Sequence, residues 1–178
     1  LIANLAAYNL RKRNVEGPDP LDSDFSIAVG EIRSRGIELD VTGEILPGWN
    51  AIASYAYTDA EVTADNNYPA GNRPNNVPRN SASFWTTYEF QDGNLQGLGF
   101  GLGLFFVGER FGDFDNTYEL PSYVRTDAAL YYRRDNWRAA LNFQNLFNVN
   151  YIRSSEGYRE ANAPGAPFTV IGSLSITF

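Results

Sequence analysis

Eight charged residues sit on strand-like runs and repeat with period two: Glu38, Asp40, Glu44, Glu89, Arg125, Asp127, Arg133 and Arg138. Carboxylates and guanidiniums of this kind can move protons, hold a cation or pair with one another. What accompanies them narrows the chemistry. The 178-residue chain contains no His and no Cys. It therefore lacks the commonest general base and zinc ligand, and has no thiol nucleophile, thiolate metal site or disulfide framework. A Ser-His-Asp hydrolase is excluded, a barrel lipase of that type included. The net charge of −7 argues against a nucleic-acid partner, which needs clustered Lys and Arg. The charges either face water or line a wet lumen and touch something lodged within it.

The elements that carry these charges are strands. Residues 36–45 set Ile37, Leu39, Val41 and Ile45 against Glu38, Asp40, Thr42 and Glu44. Successive side chains on a strand point to opposite faces, so each such run has one apolar and one polar face. The same alternation recurs at 49–58, 81–90, 98–107, 123–133, 137–144 and 168–178. A first run, 1–13, has apolar residues in both parities and no clear register. These eight runs predict that Ile37, Leu39, Val41, Phe84, Phe100, Leu102, Leu130, Leu141, Leu174 and Ile176 share one face. Glu38, Asp40, Asp127, Arg138 and Asn142 belong to the other.

The connections alternate in length. Long polar stretches at 14–24, 60–78, 108–121 and 148–166 are rich in Gly, Pro, Asn and Asp. Short turns at 46–48, 91–94 and 134–136 separate them. In an up-and-down antiparallel order, all long loops share one rim, and the short turns share the other with the C-terminus. Outer-membrane barrels have that asymmetry. Trp49, Tyr88, Phe90, Tyr132, Trp137 and Phe178 all lie beside a short turn or the C-terminus, where a membrane-interface girdle belongs. No apolar run approaches the ~20 residues of a membrane helix, which does not exclude a membrane, since barrel strands carry a much weaker signal. Gly99, Gly101 and Gly103 point to the polar face of one strand and either leave space inside or permit sharp curvature. The chain has no initiator Met or signal peptide and reads as a fragment of a longer exported protein.

Several segments carry a family resemblance: "EIRSRGIELDVTGEILPGWNAIASYAYTDAEV", "NNVPRNSASFWTTYEF", "VGERFGD" and "LPSYVRTDAALYYRRDNWRAALNFQNLFNVNYI", with a terminal Phe178. In this joint order they resemble the barrel of TonB-dependent ferric-siderophore receptors, nearest the ferrichrome-type hydroxamate branch. Asn148, where the family often has Asp after "NLF", and the "RPNNVP" stretch depart from the pattern. The resemblance implies an all-β, antiparallel, up-and-down transmembrane barrel. Residues 1–178 would form its C-terminal eight-stranded arc, out of about 22 strands, with the plug domain absent. It implies a non-enzymatic outer-membrane receptor of a Gram-negative-type bacterium that passes a ferric siderophore to the periplasm. Its partners would be the siderophore, outer-membrane lipid, the TonB complex acting through the missing plug, and the barrel-assembly machinery at the C-terminal strand. Iron would travel as the chelate, with no protein ligand and no cofactor. Aromatic and basic loop residues would then contact the chelate: Tyr68, Arg73, Phe111, Phe114, Tyr118, Tyr158 and Arg159.

Two other readings compete with this one. A complete small eight-stranded barrel with a structural or adhesive role would close on itself. A soluble β-sandwich or β-barrel binding module would pack Leu174, Ile176 and Phe178 into a core.

Overall fold

In the computed structural model, residues 1–18, 24 and 26–177 are described, and Phe178 lies outside them. Twelve strands follow in order: β1 Ile2–Pro18, β2 Ser26–Leu46, β3 Trp49–Ala64, β4 Asn80–Glu89, β5 Leu98–Val107, β6 Arg110–Phe111, β7 Glu119–Leu120, β8 Tyr123–Arg134, β9 Trp137–Gln144, β10 Ile152–Ser155, β11 Asn162–Pro164 and β12 Thr169–Ile176. Eight of them form one antiparallel sheet in the order β1-β2-β3-β4-β5-β8-β9-β12. Its neighbours are sequential, as in an up-and-down barrel wall. β1 and β12 are its two edges, and among the described residues they do not pair with each other. The small ladders β6–β7 and β10–β11 sit inside two of the long connections.

The registers turn the alternation of each run into two continuous faces. Across the sheet, Ala7, Ile37 and Tyr57 are aligned, as are Leu5, Leu39 and Tyr55. Tyr88, Phe100, Leu130, Leu141 and Gly172 form another aligned row, and Thr86, Leu102, Ala128, Phe143 and Val170 a further one. All ten apolar residues assigned to one face lie on this face. The five polar ones lie on the other: Asp40 aligns with Ser54 and Ser83, and Asn142 with Ala129 and Ile171. A slip of one residue would have inverted a strand.

The apolar face is not a core. Leu174 is 68% exposed, and Ile37, Phe100, Leu130 and Ile176 are all exposed as well. Among the described residues, the buried apolar side chains are Ala60, Val62, Tyr118 and Leu120, all near the long-loop end. A soluble module that packs Leu174 and Ile176 inside is therefore overturned. From Trp49 to Tyr57 no outward position of the sheet carries a charge. That interval is about 26 Å of strand, or about 20 Å of height at barrel tilt, close to the apolar band of a spanning barrel. The next rows upward are Asn9–Arg35–Asp59 and Arg11–Arg33–Glu61, and the face changes from apolar to charged within one step.

This charged extension corrects the expected strand limits. β2 has 21 residues, against the about 9–11 that span a bilayer. Residues 14–18, read as loop, continue the β1 ladder, with Val15 opposite Gly30 and Pro18 opposite Ser26. Asn14 at φ 56° absorbs the extra residue where the register shifts. Residues 60–64, read as connection, belong to β3. Ion pairs knit the extension: Arg13 Nε donates to Glu31 Oε2 at 2.9 Å, Arg33 Nη2 to Glu61 Oε1 at 2.5 Å and Arg35 Nε to Asp59 Oδ2 at 2.9 Å. The outward face turns charged at these rows, while the inward one mixes Leu10, Ile32, Ala60 and Val62 with Lys12 and Ser34, so the polarity of the two faces no longer matches the rows below.

The inward glycines do not leave space. The Trp85 ring lies across Gly101 and Gly103, and the Tyr131 ring across Gly99, so a Cβ at any of the three would collide with an aromatic ring. Glycine here lets a large ring lie flat on the polar face. At the short-turn rim, Tyr88 meets Phe90 edge-on with centroids 5.3 Å apart, and Tyr132 meets Trp137 at 5.5 Å. Trp49 Nε1 donates to Thr86 Oγ1 at 2.8 Å.

The two faces predict a contrast between adjacent residues at one depth. In the intact barrel, Leu141→Arg is expected to cost about 2–4 kcal/mol, as lipid-facing arginines near the midplane do. Asn142→Arg, one residue along on the polar face, is expected to cost under about 1 kcal/mol. Urea unfolding of each variant in lipid vesicles checks this, and equal penalties would contradict the assignment.

Candidate functional site

The polar face places its charges in pairs. Arg125 grips Asp127 through both Nε and Nη2, at 3.0 and 2.9 Å, and its guanidinium lies 4.6 Å from the Phe105 ring centroid. Asp127, 8% exposed, also accepts the backbone N–H of Asn145 at 2.9 Å. Arg138 covers the Tyr131 ring at 4.8 Å, and Arg133 Nη2 donates to Glu89 Oε1 at 2.6 Å. Glu38 and Asp40 stay exposed. These residues form a wet, cross-braced wall rather than a reaction centre. No group of His, Cys, Asp and Glu able to hold a metal exists among the described residues.

The site with built geometry is at the other end, where the connections 65–79, 108–122 and 145–168 meet. Three asparagines in left-handed conformation organise it: Asn76 at φ 62°, Asn116 at 58° and Asn145 at 52°. Asn tolerates this conformation better than most residues, and its amide can satisfy two backbone groups at once. Asn76 accepts the Ser155 N–H at 2.7 Å and donates to the Ser155 carbonyl at 2.8 Å. Asn116 clasps Arg73 in the same way, accepting its N–H and donating to its carbonyl, both at 2.8 Å. Asn145 accepts the Val149 N–H at 2.9 Å and donates to the carbonyls of Val149 and Ala166 at 3.0 and 2.9 Å. Arg110, 3% exposed, adds a donation from Nη2 to the Ile152 carbonyl at 2.6 Å. Each of these loops is thereby tied to another.

The seven sequence-derived contact residues all fall on these loops, in three pairs and one singleton. Tyr68 and Phe114 stack with centroids 5.1 Å apart. Arg73 and Phe111 line one cavity of about 470 Å³ together with Arg79, Arg110, Glu109 and Glu119. Tyr118 is 7% exposed, its hydroxyl 2.5 Å from Ser155 Oγ, and the exposed Arg159 lies over its ring at 4.7 Å. Tyr158, 58% exposed, stands beside Arg159 at the tip. Burial pushes the pKa of Arg73 and of Arg110 down, and the nearby Arg79 pushes Arg73 further. Sequence reasoning missed the three asparagines, Arg110 and Ser155. A left-handed Asn leaves no mark in the sequence, and the contact of Asn76 with Ser155 joins residues 79 apart.

A single-layer sheet with one charge-free face, one braced polar face, long fastened loops at one rim and tight turns at the other is a wall segment of an outer-membrane β-barrel. Residues 1–146 match the family described as TonB dependent receptor-like, beta-barrel. The chain belongs to the TonB-dependent receptor family. It is 39% identical to the metal-pseudopaline receptor CntO of Pseudomonas aeruginosa PAO1, over 98% of this chain and 25% of that protein. It is 39% identical to the ferrichrome outer membrane transporter/phage receptor of Escherichia coli K12, over 86% of this chain and 21% of that one. The structure superposes on the siderophore receptor PiuA of Acinetobacter baumannii with a TM-score of 0.78 and 28% identity, covering 98% of this chain and 26% of PiuA. The chain thus spans about a quarter of the length of these proteins. The family is one of Gram-negative outer-membrane receptors and transporters, not enzymes.

The Asn76 clasp yields a stability expectation confined to the loops. Asn76→Ala removes both of its bonds to Ser155 and leaves the carbonyl only the long donation from Asn75 Nδ2 at 3.4 Å, a cost of about 1–3 kcal/mol. Hydrogen exchange at residues 152–164 of the intact receptor is expected to accelerate by about tenfold or more, with amides of β4 and β5 unchanged. Unchanged exchange at 152–164 would remove the clasp from the account.

Proposed function

We propose that this chain is the C-terminal part of the barrel of a receptor that takes up a ferric siderophore, of hydroxamate type, across the outer membrane. The observation that carries the reading is the fastened loop assembly above a lipid-facing wall, in a chain 39% identical to the ferrichrome transporter. A hydroxamate siderophore supplies the iron ligands itself, so the receptor needs shape, aromatic surface and balanced charge rather than His or Cys. Tyr158 and the Tyr68–Phe114 stack offer aromatic surface at the mouth, and Arg159 offers a cation. Energy would come from the TonB complex acting through a plug domain, with assembly through the C-terminal strand. The edges β1 and β12 suit this reading, since each presents a backbone row that further strands would pair. A small barrel complete in itself would instead pair those two edges.

A second reading has a specific basis. The match to the metal-pseudopaline receptor has the same identity and runs over more of this chain than the ferrichrome match. The cargo in that reading is a metal–pseudopaline complex.

Uptake decides between them. In a strain whose only receptor of this class is the intact protein, radioactive iron given as ferrichrome or ferrioxamine B is expected to enter in a TonB-dependent manner. Entry of metal–pseudopaline in place of either iron chelate would establish the second reading. Tyr158→Ala is expected to weaken ligand binding about fivefold, the loss of one aromatic contact of about 1 kcal/mol. Tryptophan-fluorescence titration of the purified receptor measures it.

A further inference from the structure

The cavity beside Arg73, of about 470 Å³, stands astride the top of the wall. Asn80 and Phe106, which line it, come from outward rows, in register with Tyr57, Ala82 and Val124. Two of its cations come from the other face. Arg79 stands opposite Thr58, whose N–H donates to the Arg79 carbonyl at 2.9 Å, and Thr58 lies on the polar face beside Gly36. Arg110 lies over the Tyr123 ring, 5.6 Å from its centroid, and Tyr123 is in the polar-face row of Ser81 and Val107. The charged part of the cavity thus belongs to the mouth and the lumen beneath it. Arg73 and Phe111, two of the seven sequence-derived contact residues, line it as well.

Three guanidiniums, Arg73, Arg79 and Arg110, meet two exposed carboxylates there, Glu109 and Glu119. Among the described residues none of the three is in an ion pair, whereas Arg13, Arg33, Arg35, Arg125 and Arg133 each are. Arg73 Nε and Arg110 Nη1 are buried without a hydrogen-bond partner. Such an N–H on a charged group is costly when left unmade, and a carboxylate is the partner that suits a guanidinium best. Both donors are set in place beforehand. The buried Arg110 is held by donations from Nη2 to the carbonyls of Ile152 and Arg153, which leaves Nη1 over. Asn116 clasps the backbone at Arg73. Burial pushes the pKa of both down, Arg79 pushes Arg73 further, and an anion among them relieves that burden.

We propose that this cavity takes a free carboxylate of the transported chelate, with Arg73, Arg79 and Arg110 as its donors, and so selects an anionic hydroxamate chelate over a neutral one. The proposal rests on the hydroxamate reading above and adds the charge of the cargo to it. A neutral hydroxamate chelate offers a guanidinium nothing better than a carbonyl oxygen. A chelate that keeps a carboxylate off the iron carries the partner these donors lack. Phe106 and Phe111 supply apolar surface beside the cations for the carbon skeleton that bears it.

The test uses the intact receptor in detergent and its variants Arg73→Gln and Arg79→Gln. Tryptophan-fluorescence titration measures the binding of three iron chelates. Ferrichrome has no carboxylate, aerobactin is a citrate-based dihydroxamate with carboxylates off the iron, and the third is aerobactin with those carboxylates converted to amides. Wild type is expected to bind ferric aerobactin about tenfold or more tighter than the amide. That preference is expected to vanish in Arg73→Gln and to fall about threefold in Arg79→Gln, at an exposed position. Equal affinity of wild type for acid and amide would overturn the proposal, and so would a preference that both variants keep. Ferrichrome binding in either case leaves the hydroxamate reading standing. Binding of none of the three removes that reading and the proposal with it. Heat-modifiable mobility on gels reports folding, and Arg79→Gln alone carries the comparison should Arg73→Gln fail to fold.

Discussion

A backbone amide in hydrocarbon has no water to turn to, and every N–H and C=O there must be matched by the chain itself. That constraint explains the architecture more fully than any side-chain contact does. It demands long, unbroken antiparallel ladders, and the eight-stranded sheet supplies them with neighbours in simple sequential order. Once the ladder is set, the period of two sends each side chain to lipid or to lumen. The consequence is visible in the charges. Glu38, Asp40, Glu89, Arg125, Asp127, Arg133 and Arg138 all take the polar face, and the outward face stays uncharged until Asp59 and Arg35.

The sheet has little hydrophobic core of its own, so its loop end needs another source of order. Ala60, Val62, Tyr118 and Leu120 are the buried apolar residues there among the described ones. Hydrogen bonds do the remainder, and they are mostly from side chain to backbone: Asn76 to Ser155, Asn116 to Arg73, Asn145 to Val149 and Ala166. A side-chain amide paired with a backbone N–H and C=O mimics one rung of a ladder. The loops are thus held by the same chemistry as the strands, applied one rung at a time.

Much of this was legible in the sequence, and the rest was hidden for definite reasons. Wherever apolar and polar residues alternated, as at Ile37 to Ile45 or Trp137 to Gln144, strand and face could both be read. The signal failed in the upper parts of β1 to β3, where Glu31, Arg33 and Arg35 face outward and the inward rows mix Leu10, Ile32, Ala60 and Val62 with Lys12 and Ser34, the reverse of the polarity below. Residues 14–18 read as loop because Gly and Pro are turn formers, yet a single left-handed Asn14 let the ladder continue past them. Gly99, Gly101 and Gly103 were readable as inward glycines, but only the cross-strand register shows Trp85 and Tyr131 lying over them. The loop residues were correctly assigned to one rim. Their division into a stack, a cation over a ring and a cavity wall depends on contacts between distant segments that no local pattern encodes.

The cross-fastening of the loops also bears on how such a receptor can diversify. Asn116 reads the backbone at Arg73, Asn76 reads the backbone at Ser155, and Arg110 reads it at Ile152, so each segment is measured against another's main chain and not against its side chains. Main-chain groups are indifferent to residue identity. Surface side chains at the tips, such as Tyr158, are therefore free to vary without disturbing the frame, whereas lengthening one segment shifts the carbonyls that its neighbours hold. Transplanting one loop from a relative therefore requires moving its two companions with it.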